Sequence, residues 1–565
     1  MKIQSSFKRV LNYKSETIFG AGLLMSALAF LGSLLGIVRN ALLASHFGAS
    51  HSLDVYYASF RLPDLIYNIF IIGAVSAAFI PLFNEYLSQD KNKAWQFSNF
   101  IIVFIGFLLG IFGLLIIVFA RPLLSKILVG FNQDNLESVI LLTKIMMIQP
   151  LLLGISSIIS GVLRSFRLFF VTTLAPLMYN LGIIIGIIFF VPFFGLKGLA
   201  FGVVLGACFH LLVQLPSLLE IGYRFRLSSI SGFFSFSSGF KKLIVIMSSR
   251  TSSIIISQLF LVGITSITTL LKEGTLTIFN FVDNILPYTT FALPFADAAF
   301  PRLSRLEAEK NQIDFMKVFG DTLSHILFFI IPLAIWCIVF REPIVRLLLG
   351  YGKFDWQATT TTMKVLAYLA IGMIFQSINY YFLKTFFAKK DAKKPFFASL
   401  LAYSIGFFFC YKLAVKFGIV GLAGGIIFTY ILYFLLLLYF LRIHVNYSLA
   451  SLKEFYMKLI KIIIVSAISG LVGYVILSLM TNILSLERVI HLIIDAGIAF
   501  LFTLITFIIL SNCFQIKEIQ ELKSLVLKRF YFERSPACWT GRSEKKGSAE
   551  RSEAGSYDKR NGEHS

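Results

Sequence analysis

Apolar runs long enough to cross a bilayer recur along nearly the whole chain. A hydrocarbon core of ~30 Å takes about 20 helical residues, and runs near 18–43, 57–83, 96–119, 138–163, 168–192, 197–221, 241–271, 276–300, 315–340, 360–386, 396–415, 419–441, 455–480 and 487–511 fit that length. Mean hydropathy is +0.82, and 14% of residues are charged, against about 25% in a soluble domain. The runs are continuous rather than alternating, which excludes a β-barrel. The fold class is therefore an all-α polytopic membrane protein with about fourteen transmembrane helices. Two runs, 57–83 and 241–271, are long enough to be tilted or kinked. The first run follows Lys8, Arg9 and Lys14 but is too long for a signal peptide and carries Arg39 near its far end, so it reads as a retained helix.

A formal charge of +22 would suggest nucleic acid in a soluble protein; here its distribution over the loops sets topology instead. Lysines and arginines cluster before the first run and after the even-numbered runs: Lys91 and Lys93, Arg164 and Arg167, Arg224 and Arg226, Arg302 and Arg305, Lys389 to Lys394, Arg442 and Lys453. The connection 44–53 has none. Even-numbered connections and both termini are thus expected on the cytoplasmic side, with no nucleic-acid partner. Cys208, Cys337, Cys410, Cys513 and Cys538 form no CxxC pair, His46 and His51 lack a third ligand, and Gly350 to Asp355 lacks the phosphate-loop spacing. No metal and no cofactor is expected.

The chain also repeats itself at an offset of about 221–223 residues. Ala77-Ala78-Phe79 with Pro81 recurs as Ala298-Ala299-Phe300 with Pro301, Arg121-Pro122 with Gly130 as Glu342-Pro343 with Gly350, and Phe194-Gly195 through Gly202 as Phe417-Gly418 through Gly425. Six runs fit in one period. An even number makes the two halves parallel, related by an axis along the membrane normal. The expected organisation is a six-helix lobe over 1–230, a second over 231–447, an extra helix pair over 448–515, and a cytoplasmic, disordered tail over 516–565. Two parallel lobes leave a central cleft and point to transport by alternating access. The signatures HExxH and GxSxG are missing, so no enzyme is read.

Ionisable groups within the runs cost at least ~2.5 kcal/mol each unless they face a cavity or a partner. Arg39 and Arg61 lie at similar depth on adjacent helices, where two readings stand: an anion site, or snorkelling with Asp54 as counter-ion. Arg250 lies about nine residues inside the seventh run, too deep to snorkel, and Lys144 invites the same argument in the fourth. Asp54 and Asp283 are the candidate counter-charges or coupling-ion groups. Asn180, Asn280, Asn284, Gln214 and Gln258 add hydrogen-bonding capacity.

One resemblance is specific. Gly36-Ile-Val-Arg39-Asn40, His46-Phe-Gly-Ala49, Asp54 through Asp64, Gly73 through Pro81, Tyr351-Gly-Lys-Phe354 and Lys389 through Pro395 resemble the signature of the MurJ/MviN lipid II flippases, within the multidrug/oligosaccharidyl-lipid/polysaccharide exporter superfamily. The resemblance implies a lipid II flippase of peptidoglycan synthesis in the cell inner membrane. It would move undecaprenyl-diphosphate-linked disaccharide-pentapeptide to the periplasmic leaflet, with membrane lipids and cell-wall synthesis proteins as further partners. Arg39, Asp54 and Arg61 match functional positions of the family. Three positions expected to be arginine read Ser33, Tyr67 and Asn284, and an acidic one reads Pro287, so Arg250 and Lys144 are read as replacement cations in a diphosphate site of Arg39, Arg61, Arg250 and Lys144. The alternatives are a flippase for another polyprenyl-diphosphate glycan, a cation-coupled drug exporter and a non-transporting scaffold.

Overall fold

A computed structural model describes residues 18–72, 79–225, 237–442, 449–483, 489–521 and 523–524. Among them every regular element is helical. The first half holds α1 (Ile18–Phe47), α2 (His51–Ser59), α3 (Arg61–Tyr67), α4 (Ile80–Gln89), α5 (Lys91–Ile127), α6 (Gln133–Met146), α7 (Ile148–Ser165), α8 (Phe169–Ile185) and α9 (Leu196–Leu212). The second holds α10 (Ser237–Thr269), α11 (Thr275–Ile285), α12 (Tyr288–Ala308), α13 (Gln312–Val339), α14 (Arg341–Leu349), α15 (Trp356–Ala388) and α16 (Lys393–Arg442). The pair α17 (Leu449–Ile483) and α18 (Val489–Cys513) follows.

Ten helical segments among the described residues are long and apolar enough to cross a membrane, and α16 accounts for two of the expected spans because it breaks at Gly418. The three remaining spans, within 51–89, 237–269 and 275–308, are broken or carry polar stretches. Two of the breaks have a covalent cause. Pro63 has no N–H to donate to the Ser59 carbonyl, and Thr143 Oγ from α6 donates to that carbonyl instead, at 3.3 Å. Pro287 pushes the preceding Leu286 to an extended conformation, φ −67° and ψ 125°, which ends α11 before α12 begins.

The repeat is visible in the backbone. Gly195 (φ 56°, ψ −134°) and Gly418 (φ 62°, ψ −144°) share a conformation that only glycine adopts without strain. Each turns the chain between two spans that then pack through small residues. A Cβ on Gly202 would lie 2.8 Å from the Cα of Gly186, and one on Gly425 would lie 2.6 Å from the Cα of Cys410. The Ala77-Ala78 part of the first match lies outside the described residues.

The extra pair covers the outer face of the second half. α17 packs on α13 and α18, Trp336 Nε1 donates to Ser469 Oγ at 3.3 Å, and Trp336 meets Phe500 and Phe507 edge-on. The polar segment that starts at 516, expected as the beginning of a disordered tail, is instead docked as far as it is described. Ile516 and Ile519 are buried, Lys458 pairs with the buried Glu518 at 2.5 Å, and His325 of α13 meets Glu521 at 2.9 Å. Apolar anchors at 516 and 519 explain the difference, since average composition hides them. On the same side, Lys389 is nearly buried, pairs with Glu307 at 3.0 Å and lies over the Phe315 ring, which gives it a packing role.

Candidate functional site

Arg39 on α1 and Arg61 on α3 line one cleft, together with Tyr56, Tyr57, Asp64 and Tyr179 from the first half and Asn280 and Asn284 from α11. The Ser59–Pro63 break is what aims α3 here, because it frees Arg61 from the line of α2. Arg39 is half-buried; its Nη1 donates to Asn180 Oδ1 at 2.9 Å, and its Nη2 and Nε donate to Asn40 Oδ1 at 3.0 and 3.2 Å. Arg61 is 8% exposed. Its Nη2 donates to Asn280 Oδ1 at 3.0 Å, while its buried Nε has no acceptor. Amide oxygens orient a guanidinium without neutralising it, so both remain available as cations to an anion in the cleft.

The Arg61–Asn280 bond crosses between the halves, and further crossings gather at one end of the molecule. Asp54 accepts from Gly274 N at 2.7 Å, Thr277 N at 2.8 Å and Thr277 Oγ at 2.7 Å. It therefore caps the N-terminus of α11 from the other half. Gly274 occupies the position before that helix in the left-handed region, φ 79°, and has no side chain to cap with. Lys353 N donates to Ser45 O at 2.9 Å, Gly130 N to Thr269 Oγ at 3.2 Å, and His51 meets Glu273 at 2.9 Å. All four contact regions involve the odd-numbered connections.

The sequence-predicted residues thus separate. Arg39 and Arg61 come together. Asp54 goes to the helix terminus instead of to an arginine. Asp283 is exposed on the accessible face of α11, beside Asn280 and Asn284, while Thr275 to Phe279, Phe281 and Val282 are buried, and its charge acts on Arg61. Lys144 is exposed on α6 and does not line this cleft. Arg250 belongs to α10, and its side chain lies outside the described residues. Two of the positions expected to be arginine make neutral contacts: Tyr67 with Ser157 Oγ at 3.0 Å, and Asn284 Nδ2 to Asn280 O at 2.7 Å. Sequence reasoning passed over Asp64, although its spacing of three from Arg61 places both on one helix face.

The family model described as "Lipid II flippase MurJ" matches residues 43–493. The chain belongs to this family. Among curated MurJ relatives, the probable lipid II flippase MurJ of Borreliella burgdorferi is 27% identical over 374 residues, 66% of this chain and 73% of that protein. The probable lipid II flippase MurJ of Thermotoga maritima is 26% identical over 445 residues, 78% and 87%. A solved structure of lipid II flippase MurJ in an inward closed conformation matches with TM-score 0.70 at 22% identity, covering 88% of this chain and 100% of that one. An inward-facing multidrug-resistance MATE transporter of the MOP superfamily matches at 0.62 and 13% identity, covering 76% and 99%. These likenesses carry the fold: a MurJ-type, multi-pass helical membrane protein.

Proposed function

We propose that the chain is a flippase that moves lipid II, the undecaprenyl-diphosphate-linked peptidoglycan precursor, from the cytoplasmic to the periplasmic leaflet by alternating access. The observation that carries this reading is the pair of amide-held arginines, Arg39 and Arg61, in a cleft between two halves of a MurJ-family fold. A diphosphate offers oxygens that match the guanidinium fork better than an ammonium does. On this reading the lobes are residues 1–230 and 231–447, with 448–515 as the extra pair. The loop charges put the odd-numbered connections on the periplasmic side and both termini in the cytoplasm of the inner membrane. The contacts of Asp54, Lys353 and Gly130 then form a closed periplasmic end, and substrate arrives from the cytoplasmic side.

A second reading, a flippase for another polyprenyl-diphosphate glycan, is favoured by Tyr67 and Asn284, where neutral groups stand in place of arginine. Complementation of a strain depleted of its lipid II flippase separates the two. Growth with the wild-type chain, and none with Arg39→Ala or Arg61→Ala at matched membrane levels, is the expected result. Failure of the wild type despite normal insertion favours the other glycan, and full activity of both variants removes the arginine site.

A further inference from the structure

The charges in the cleft do not suit a diphosphate by themselves. Arg39 and Arg61 supply two guanidinium groups. Asp64, three residues beyond Arg61 on α3, lines the same cleft, and Asp283, three residues beyond Asn280 on α11, is exposed on that helix's accessible face. A spacing of three keeps each carboxylate on the face of its helix that carries a partner of the Arg61–Asn280 bond. One carboxylate from each half therefore flanks that bond, and both act on the Arg61 charge. The charged groups lining the cleft are Arg39, Arg61 and Asp64, and Asp283 stands next to them on α11, between the lining residues Asn280 and Asn284. A doubly esterified diphosphate adds one ionised oxygen on each phosphorus. It would face two carboxylates while satisfying the buried, unpartnered Nε of Arg61.

We propose that the diphosphate occupies this cleft together with a divalent cation of the Mg²⁺ type, held between the diphosphate oxygens and the carboxylates of Asp64 and Asp283. This rests on the diphosphate reading of the cleft and specifies the form in which the headgroup binds. Mg²⁺ takes oxygen ligands, keeps several waters, and is usually bound by one or two carboxylates plus substrate phosphates rather than by an all-protein cage. The site has that composition. Asn284 spends its amide N–H on Asn280 O, which leaves its side-chain oxygen for the ion or its water shell. Two carboxylates are too few to retain the ion alone, and among the described residues no three His, Cys, Asp or Glu side chains form a metal-sized group. Cation and diphosphate therefore bind as a pair, each raising the affinity for the other by the same factor. The guanidinium groups of Arg39 and Arg61 take the diphosphate oxygens that the ion does not.

The test uses the full-length chain in nanodiscs and a short-chain, doubly esterified prenyl diphosphate sugar as probe, with Mg²⁺ or with chelator. Wild-type affinity should fall about tenfold or more on chelation. Asp283→Asn, and separately Asp64→Asn, should lose most of that dependence and bind in chelator at least as well as the wild type does there. Mn²⁺ in place of Mg²⁺ should give a protein-bound electron paramagnetic resonance signal only when the probe is present. Unchanged wild-type affinity on chelation overturns the proposal. So does a full Mg²⁺ effect in both Asp→Asn variants, since the ion would then act only on the probe in solution. Binding in chelator that recovers as pH falls also overturns it, in favour of proton uptake by the carboxylates. A wild-type chain that binds no probe in either condition overturns the diphosphate reading itself, and this inference with it.

Discussion

At Arg39 and Arg61 the partner groups are amides, and the choice of amide over acid has a direct consequence. Asn180 and Asn280 hold the two guanidinium groups at 2.9 and 3.0 Å without adding a negative charge of their own. Asn280→Asp would turn the inter-lobe hydrogen bond into an ion pair that competes with the substrate anion, and Asn180→Asp would do the same at Arg39. Both acid variants should lower flipping about tenfold or more, whereas Asn→Ala, which loosens the arginine but keeps its charge, should cost less; a reconstituted flipping assay at equal protein level compares them. Asp54 carries a separate prediction. Asp54→Ala removes a helix cap made across the lobe interface, at a cost of about 1 kcal/mol for a cap of this kind, and spin-label distances between Ser50→Cys and Glu273→Cys should broaden. An unchanged distribution contradicts the capping role. Sequence alone made Arg39 and Arg61 legible because a charge inside an apolar run needs a reason. It could not reveal the partner of Asp54, because Gly274 and Thr277 lie more than two hundred residues away in the chain. Lys144 misleads for a related reason: it shares the exposed face of its helix with Leu141, and hydropathy does not distinguish a lipid-facing position from a cleft-facing one.

Breaks within spans decide where the site forms. Hydropathy reads 57–83 and 276–300 as continuous runs, yet Pro63 and Pro287 divide them, and the resulting short helices α3 and α11 carry Arg61 and Asn280 to each other. The prolines were visible in the sequence; the direction of each bend was not, since it depends on partners such as Thr143, which donates to the freed carbonyl. The docked segment after α18 is the other element that composition concealed. His325 holds the Glu521 carboxyl below its usual value through their hydrogen bond. A lowered carboxyl contributes docking stability that is present above its ordinary pKa and lost as pH falls through the lowered one. Amide-exchange protection of 516–521, corrected for intrinsic rates, should therefore fall on acidification through the carboxylate range, and Glu521→Gln should be weaker at neutral pH and flat across it. Equal protection in wild type and variant at neutral pH counts against the clamp.

At the scale of the whole molecule, the two halves are, among the described residues, tied together chiefly at one end. The match of Phe194-Gly195 with Phe417-Gly418 was legible in the sequence, and both glycines turn the chain in the same unusual conformation. The outer position of the extra pair was not legible there, since nothing in α17 names α13 as its partner. Topology follows from loop charge, and impermeant thiol labelling should modify Ser50→Cys from outside and leave Lys390→Cys untouched; the opposite pattern reverses the orientation. Alternating access requires the closed end to open in every cycle. Ser45 and Lys353 face each other across it through a 2.9 Å backbone hydrogen bond, so Ser45→Cys with Lys353→Cys provides a lock. In proteoliposomes carrying lipid II, flipping should stop when this pair is oxidised and return on reduction, with each single variant active throughout; flipping that continues at full rate in the oxidised, cross-linked protein would contradict transport through the cleft between the lobes.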